Sequence, residues 1–421
     1  MYRFFVSDQT KEGTPPKNYF LGSEYNSEDI NKAILENDSS LTVDEVGSGT
    51  ILSGICSGLG NVNPEYVGVA KDSELIVVKL QKINGEYNNG MLSAGLEYVY
   101  QKARELNMPV CVNLSVGSSG LVGFDNSTLF KKTFFERGIF ISAGSGDDVN
   151  RELHTTGIIP IVGEEKVIEI EVNEDSDEIE IQVWIDRPYK VEVQIESPSG
   201  ELSKASSLSN FNQFNGLFDL EQTSYVITYV YPTTYSGQQF TSIILENVKV
   251  GIWKIRLTGI YKSSGNYNIY IVNPKSNKIK FRDSDPFYTI NYMGVSPYIT
   301  TVGNYNSINK TIYTNSSRGP NIKGVMKPDL VAPGVNIIGP FRDDRYSKVT
   351  GSGASNSYVV GCAALFMQYT VVDNRYPEKA YPQIIKTYIQ GGCKRDILMD
   401  YPNNSFGFGL LDFRGLFDEF R

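Results

Sequence analysis

The sequence has 421 residues, enough for several domains or for one large domain that carries an insertion. Its formal net charge of −9 argues against nucleic acid or an anionic membrane as the main partner, and no apolar run is long enough to cross a membrane. The four cysteines are scattered without metal-binding spacing, so we expect buried thiols, no metal site and no cofactor.

Helical and strand patterns alternate in the first part of the chain, up to about residue 161. The apolar runs at 75–80, 110–116 and 139–143 are typical of strands that are buried on both faces. Residues 91–106, between the first two runs, carry apolar side chains at helical spacing. Repeats of strand, helix and strand predict a parallel sheet with helices on both faces.

The hydrophobic period then changes to two. Runs such as IEIEV and IEIQVWI alternate apolar and polar residues between about 165 and 275, and turn sequences such as SPSG separate them. This pattern predicts antiparallel strands in a β-sandwich or jelly roll. Alternating strand and helix patterns then return, with a strand at 298–302, a helix within 349–369 and a further helix at 375–388. We therefore predict an α/β domain in two parts, 1–161 and 284–421, with a β-sandwich inserted at 162–283.

Three short motifs in the two α/β parts occur in a characteristic order. They are GSGTILSGI at 47–55, SSRGPNIKGVMKPDLVAP at 316–333 and TGSGASNSYVVG at 350–361, and VNLSVG at 112–117 accompanies them. Together they resemble the GHGTHVAGI, SSRGP–KPDIVAPG and NGTSMASPHVAG motifs and the substrate-binding strand of the subtilases, the subtilisin-like serine proteases. The resemblance implies the subtilisin-like fold.

The residues that the chemistry requires are replaced at the matching positions. A serine protease needs a nucleophilic serine, a histidine base, an acid that orients the base and donors for the oxyanion. The resemblance places the histidine position at Ser48, the nucleophile position at Gly353 and the oxyanion asparagine position at Ser145. No DSG or DTG motif for the acid precedes Ser48, so we expect the acid strand to lie outside this sequence. The expected result is a pseudoprotease, with Ser115 and Gly117 left to line a substrate cleft.

Other residues offer little as substitutes. His154, the single histidine, follows the oxyanion strand and is interpreted as a loop or interdomain residue. Ser352 and Ser355 flank the nucleophile position, but a shift of one residue rotates a side chain by about 100° around a helix.

Three features resemble one subgroup of the subtilases, the Csp germination proteases of clostridial spores. They are the opening segment at 7–34, the inserted β block and the ending FGFGLLDFRGLFDEF. That resemblance implies a bacterial spore protein that relays the germinant signal. Its expected partners are germination proteases, the zymogen of a cortex hydrolase, or a small-molecule germinant.

Two alternative functions stay open. One is a ligand- or carbohydrate-binding module lined by Tyr225, Tyr229, Tyr231 and Tyr235, and the other is an active serine endopeptidase.

Overall fold

The computed structural model describes residues 2–6, 14–20, 22–83, 86–117, 127–206, 211–234, 236–260, 265–272 and 274–420. Residues 7–13 of the opening segment and Tyr235 lie outside these ranges. No helix in the described ranges combines the length and apolar character needed to cross a membrane.

The helices of the described ranges are α1 (Ser27–Glu36), α2 (Ser48–Ser57), α3 (Asn89–Leu106), α4 (Ser127–Phe130), α5 (Ser352–Met367), α6 (Pro382–Gly391) and α7 (Phe413–Asp418). The strands of the α/β part are β1 (Tyr2–Val6), β2 (Ser23–Tyr25), β3 (Leu75–Lys79), β4 (Lys82–Ile83), β5 (Glu86–Tyr87), β6 (Val110–Leu114), β7 (Ile139–Gly144), β18 (Thr300–Tyr305), β19 (Leu330–Pro333), β20 (Ile337–Phe341) and β21 (Arg345–Val349). The inserted strands are β8 (His154–Ile158), β9 (Glu165–Val172), β10 (Ser176–Ile185), β11 (Val191–Glu196), β12 (Phe211–Phe218), β13 (Thr223–Val230), β14 (Gln239–Val248), β15 (Gly251–Gly259), β16 (Asn266–Val272) and β17 (Ile279–Phe281).

The parallel sheet is confirmed. Strands β19, β18, β7 and β6 lie side by side in that order, and every pair is parallel. All residues of β7 and β18 are buried, because α5 packs on this sheet and continuous apolar strands need cover on both faces. A second small sheet has the order β2, β1, β3, in which β1 and β3 are parallel.

The inserted block is antiparallel, as predicted. One sheet has the order β12, β13, β14, β10, β16, β8, and the other has the order β11, β15, β9, β17. Alternate side chains of both sheets enter one shared hydrophobic core that includes Ile181, Ile227, Ile243 and Ile255, so the two sheets form a sandwich. The more specific jelly-roll topology stays a prediction.

The two ends of the inserted block meet at its base. The backbone N–H of Phe281 donates to the carbonyl of Glu152 at 2.9 Å, and Lys280 forms an ion pair with the Glu152 carboxylate at 2.6 Å. The inserted strands therefore begin and end at one point of the α/β domain, which allows the two parts of that domain to close on each other.

One helix differs from its predicted bounds. The sequence pattern places it at 375–388, whereas α6 runs from Pro382 to Gly391 and only a short 3-10 turn, Pro377–Lys379, precedes it. Proline fixes the backbone angle of a first helical turn and has no N–H to donate, so Pro382 starts the helix rather than continuing one.

Candidate functional site

The start of α5 carries the position that the sequence predicts for the nucleophile. Gly353 is the second residue of this helix and is half-buried, whereas its neighbours Ser352 and Ala354 are buried. A Cβ atom added to Gly353 would have the Leu52 side chain at 3.4 Å and the Ser115 hydroxyl at 3.9 Å as its nearest neighbours. The structure therefore brings Gly353 and Ser115 together, and it adds Leu52 of α2 to the same surface.

The first turn of α5 is fixed by buried hydrogen bonds. Asn356 donates to Asn113 at the end of β6 at 2.6 Å and to the Ser142 carbonyl of β7 at 3.1 Å. The Ser355 hydroxyl donates to the Ala332 carbonyl of β19 at 2.9 Å. These bonds attach the helix to three strands and leave the Ser355 hydroxyl occupied and buried, so it cannot meet a substrate.

Ser352 is occupied by a carboxylate. Its hydroxyl and its backbone N–H both donate to Asp147 Oδ2, at 2.9 and 2.8 Å. The hydroxyl also accepts from the Gly146 N–H at 3.1 Å. Burial raises the pKa of Asp147, and the hydrogen bonds from Ser352 oppose that rise. Because Ser352 is only 4% exposed, this pair anchors the helix rather than presenting a nucleophile.

Ser48 lies at the first residue of α2 and is exposed. The start of this helix is held by Asp44, which accepts from the backbone N–H groups of Gly47 and Thr50, both at 2.8 Å. At the position predicted for the base, a serine hydroxyl could not take a proton from a nucleophile near neutral pH. The contacts of Asp44 therefore fix the first turn of α2, at which Ser48 lies.

Ser145 directly follows β7 and is completely buried. Its backbone N–H donates to the Val302 carbonyl at 2.8 Å, and its carbonyl accepts from the Asn291 N–H at 2.8 Å. Its hydroxyl donates to the neighbouring Gly146 carbonyl at 3.2 Å. These bonds bind Ser145 into the sheet and the segment before β18.

The two residues predicted to line the cleft follow the end of β6. Ser115 and Gly117 are both exposed. The Ser115 hydroxyl donates to Asn113 Oδ1 at 2.8 Å, and the Gly117 backbone lies against the side chain of Asn291. This extended segment presents backbone groups to solvent beside Gly353.

The only histidine of the chain lies in the inserted block. The expectation of a loop is wrong, because His154 begins strand β8 and is 2% exposed. Its Nε2 lies 3.0 Å from Asn268 Oδ1 and its Nδ1 lies 3.2 Å from the Asp285 carbonyl. Burial lowers the pKa of the ring despite these bonds. The partners of His154 are thus residues of the inserted sheet and of the segment after it, and not residues of α5.

Leu52 and Asp147 were not identified from the sequence. Asp147 lies two residues after Ser145 and is followed by a second aspartate. This pair of acidic residues was the feature of the sequence that could have indicated a buried carboxylate near the site. Leu52 is one of several apolar residues of α2, and nothing in the spacing distinguishes the one that faces Gly353.

Comparisons with known proteins agree with this arrangement. Residues 258–409 match the family model described as the subtilase family. The serine protease AprX of Bacillus subtilis (strain 168) is 30% identical over 144 residues, which are 30% of this chain and 30% of AprX. The solved structure of the Clostridium perfringens CspB protease has a TM-score of 0.88 and 23% identity, covering 98% of this chain and 88% of that chain. The structure of the prenylagaramide maturation protease PagA has a TM-score of 0.47 and 12% identity, covering 90% of this chain and 85% of that chain.

A parallel sheet on which α5 packs, with the SSRGP–KPDLVAP segment beside it, is the arrangement of a subtilisin-like fold. Residues 258–409 of this chain are similar to the subtilase family, and its fold is similar to that of the CspB protease.

Proposed function

We propose that this chain is a pseudoprotease that acts in spore germination by holding a partner protease, or the zymogen of a cortex hydrolase, without cleaving it. The observation that carries the proposal is the surroundings of Gly353. A Cβ at this position would meet an aliphatic side chain and a serine hydroxyl, and the only imidazole of the chain is buried in the inserted sandwich. A nucleophile at this point would have no histidine to activate it.

Binding is separable from this chemistry. Ser115 is exposed beside Gly353, and Gly117 is exposed two residues further along, so an extended peptide can add its backbone along this segment as a strand adds to a sheet edge. The similarity of the fold to the CspB protease and the resemblance to germination proteases provide the biological context for the partner.

The first experiment tests inactivity. We expect purified chain to leave a mixture of fluorogenic peptides uncleaved and a fluorophosphonate probe for activated serines unreacted. Ser352→Ala is the informative variant, because it removes the hydroxyl directly adjacent to Gly353, while the Ser355 hydroxyl is already bonded to the Ala332 carbonyl. Turnover by the unmodified chain that disappears in Ser352→Ala would establish an active endopeptidase and overturn the proposal.

The second experiment tests binding at the cleft. Purified germination protease and cortex-hydrolase zymogen are measured separately against the immobilised chain. Ser115→Tyr should weaken binding, because the added ring occupies the exposed segment beside Gly353. Ser73→Tyr, at another exposed serine, should bind like the unmodified chain. Equal binding by all three proteins, or no binding at all, would contradict the proposed cleft.

Two of the four tyrosines of the carbohydrate-binding alternative are buried: Tyr225 and Tyr229 are 6% and 1% exposed, so these two cannot form a stacking surface for a sugar. Tyr231 is half-buried, and Tyr235 lies outside the described residues. Burial raises the pKa of Tyr229 to about 12.

A further inference from the structure

The inserted sandwich is attached to the α/β domain by two connections, an entry connection at 152–155 and an exit connection at 281–288. The two connections lie side by side. The backbone N–H of Asp285 in the exit connection donates to the carbonyl of His154 in the entry connection at 2.8 Å. Together with the bonds at the base of the inserted block, this contact makes one joint of the two attachments.

The imidazole ring of His154 lies at this joint, and the residue is 2% exposed. Its Nδ1 lies 3.2 Å from the Asp285 carbonyl, and its Nε2 lies 3.0 Å from Oδ1 of Asn268 on β16. The ring packs against Tyr270, also on β16, with the ring centroids 4.6 Å apart. The Tyr270 hydroxyl in turn donates to the Tyr288 carbonyl of the exit connection at 3.0 Å. The ring therefore contacts the sandwich and the exit connection at the same time.

Both protonation states of the ring can be hydrogen-bonded at this position. With the Asn268 oxygen toward the ring, both ring nitrogens face acceptors, which is the arrangement that an imidazolium requires. For a neutral ring, Nδ1 donates to the Asp285 carbonyl, and a half-turn of the Asn268 amide brings its NH2 group to Nε2. Hydrogen bonding thus does not decide between the two states. Burial does, because it is the largest influence on the pKa of His154 and lowers it.

The groups around the ring do not offset this burial. The Asp285 carboxylate favours the imidazolium, but it is half-buried and accepts from the Phe287 N–H at 2.7 Å. Tyr270 and Tyr288 are phenols, which are neutral near pH 6. Strand β16 (NYNIYIV) has no charged residue. The other charged side chains of the two connections are exposed or half-buried, and they are Glu152, Arg282 and Asp283.

We propose that His154 is a pH-sensitive latch, which holds the two connections of the sandwich together while its imidazole is neutral and releases the exit connection when its imidazole is protonated. A buried cation without a counter-ion is unfavourable, and movement of the exit connection gives the ring access to water. Asn268 and Tyr270 lie on the face of β16 opposite to Ile269, which belongs to the sandwich core, so release leaves that core closed. The latch does not depend on the proposed function.

The pH window of the latch follows from the two pKa values of the ring. In the released state the pKa of His154 is the ordinary value of about 6.5, and in the closed joint it is lower. Above about pH 6.5 the ring is neutral in both states, so the equilibrium does not change with pH. Below it, each pH unit favours the released state by up to about tenfold, until the lowered pKa is reached. Between about pH 7.5 and 5.5 the released fraction should therefore rise by about tenfold.

The first measurement is an NMR titration of the imidazole in the full, unmodified chain. Because the chain has one histidine, its ring signal identifies itself. We expect the pKa of His154 to lie below about 6.5. A pKa at or above that value would overturn the latch, and this result does not depend on whether any variant folds.

Hydrogen exchange then locates the change within the chain. After correction for the intrinsic rate at each pH, protection of the Asp285 amide should fall by about tenfold from about pH 7.5 to 5.5, whereas β7 and β14 should change by less than about twofold. His154→Gln should abolish the fall. Thr155→Val is the matched control, because it removes a 2.8 Å bond to the Asp283 carbonyl at the same joint without changing a titrating group. It should lower protection at both pH values and keep the tenfold fall.

Three results of the exchange experiment would each overturn the proposal. An equal fall in β7 and β14 would mean that acid destabilises the whole chain rather than the joint. A fall that persists in His154→Gln would assign the effect to Asp283 or Asp285. Constant protection of the Asp285 amide would mean that the joint stays closed when the ring binds a proton.

Discussion

Asp147 is a carboxylate whose principal contacts are the hydroxyl and backbone N–H of Ser352, the first residue of α5. A carboxylate at a helix start satisfies donors that have no partner within the helix and interacts favourably with the helix dipole. This contact accounts for the burial of Ser352 beside the predicted nucleophile position, and it holds the start of α5 in place.

Replacing Asp147 tests that role. We expect Asp147→Ala to lower the free energy of unfolding by about 1–3 kcal/mol, because two buried donors of Ser352 lose their acceptor. Asp148→Ala is the matched control, since the Asp148 carboxylate makes a partly exposed ion pair with Arg151 at 3.4 Å and should cost less than about 1 kcal/mol. Urea unfolding of both variants gives the comparison, and equal losses would show that Asp147 does not anchor the helix.

His154 makes stability depend on pH in a specific window. Above about pH 6.5 the ring is neutral in both the folded and the unfolded chain. Below that pH the unfolded chain binds a proton that the folded chain resists, since burial lowers the pKa of His154. The free energy of unfolding should therefore fall with decreasing pH, by up to about 1.4 kcal/mol per pH unit, until the lowered pKa is reached.

The chain offers a simple control for this effect because it has one histidine. Urea unfolding is measured between about pH 7.5 and 5.5, a range in which histidine is the main side chain to change charge. We expect His154→Gln to be less stable at the upper end and to lose most of the slope. An unchanged slope in His154→Gln would assign the pH dependence to carboxylates instead.

At the scale of elements, the KPDLVAP motif shows what a sequence motif leaves open. Lys327 is completely buried, and its ammonium donates to Asp329 at 2.9 Å, to the Thr301 hydroxyl at 2.8 Å and to the Ile299 carbonyl at 3.1 Å. Lys386 of α6 also reaches Asp329, at 2.7 Å. The motif therefore connects β18, β19 and α6, and this long-range role is not visible in the local pattern.

Breaking this cluster should be costly. Lys327→Met leaves Asp329 buried with only part of its positive partners, so we expect a loss of about 3–5 kcal/mol in the free energy of unfolding. Lys394→Met removes an ion pair of similar length, 3.2 Å, whose lysine is 74% exposed, and should cost below about 1 kcal/mol. Chemical unfolding followed by fluorescence distinguishes the two, and similar small losses would show that the buried pair is replaceable.

The elements themselves were predictable where a single physical pattern dominates. Continuous apolar runs identified β3, β6 and β7, since parallel strands are buried on both faces, and the period of two identified the inserted block. The predicted start of α6 was wrong because the helical spacing of apolar residues begins before the proline at which the helix starts. At the site, motif order indicated the positions of Ser48, Ser145 and Gly353. The contacts of Leu52 and Asp147 depend on packing between distant segments, which no local pattern encodes.

At the scale of the whole molecule, the sandwich has a hydrophobic core of its own, separate from the clusters of the α/β domain. The sandwich core contains residues from Leu153 to Phe281, among them Leu153 and Ile159, which precede the predicted start of the insertion at residue 162. The contact between the two units includes Trp184 and Tyr270 of the sandwich, which pack with Ile290 and Val295. A unit with its own core and adjoining ends is able to fold separately, and the strand pairing within it involves only its own residues.

This organisation predicts that the sandwich unfolds as a unit of its own. Residues 152–283, expressed separately, should give a cooperative β-sheet unfolding transition, with lower stability than in the full chain because the Trp184 and Tyr270 surface becomes exposed.

Ile255→Ala should destabilise this fragment by about 2–5 kcal/mol, since Ile255 is completely buried between the sheets. Val250→Ala is the matched control, because that side chain is 56% exposed and its loss should change stability by less than about 0.5 kcal/mol. In the full chain, Ile255→Ala should lower the sandwich transition and leave the exchange protection of β7 and β18 unchanged. A fragment without a cooperative transition, or a loss of protection in β7 and β18, would show instead that the two cores stabilise each other as one unit.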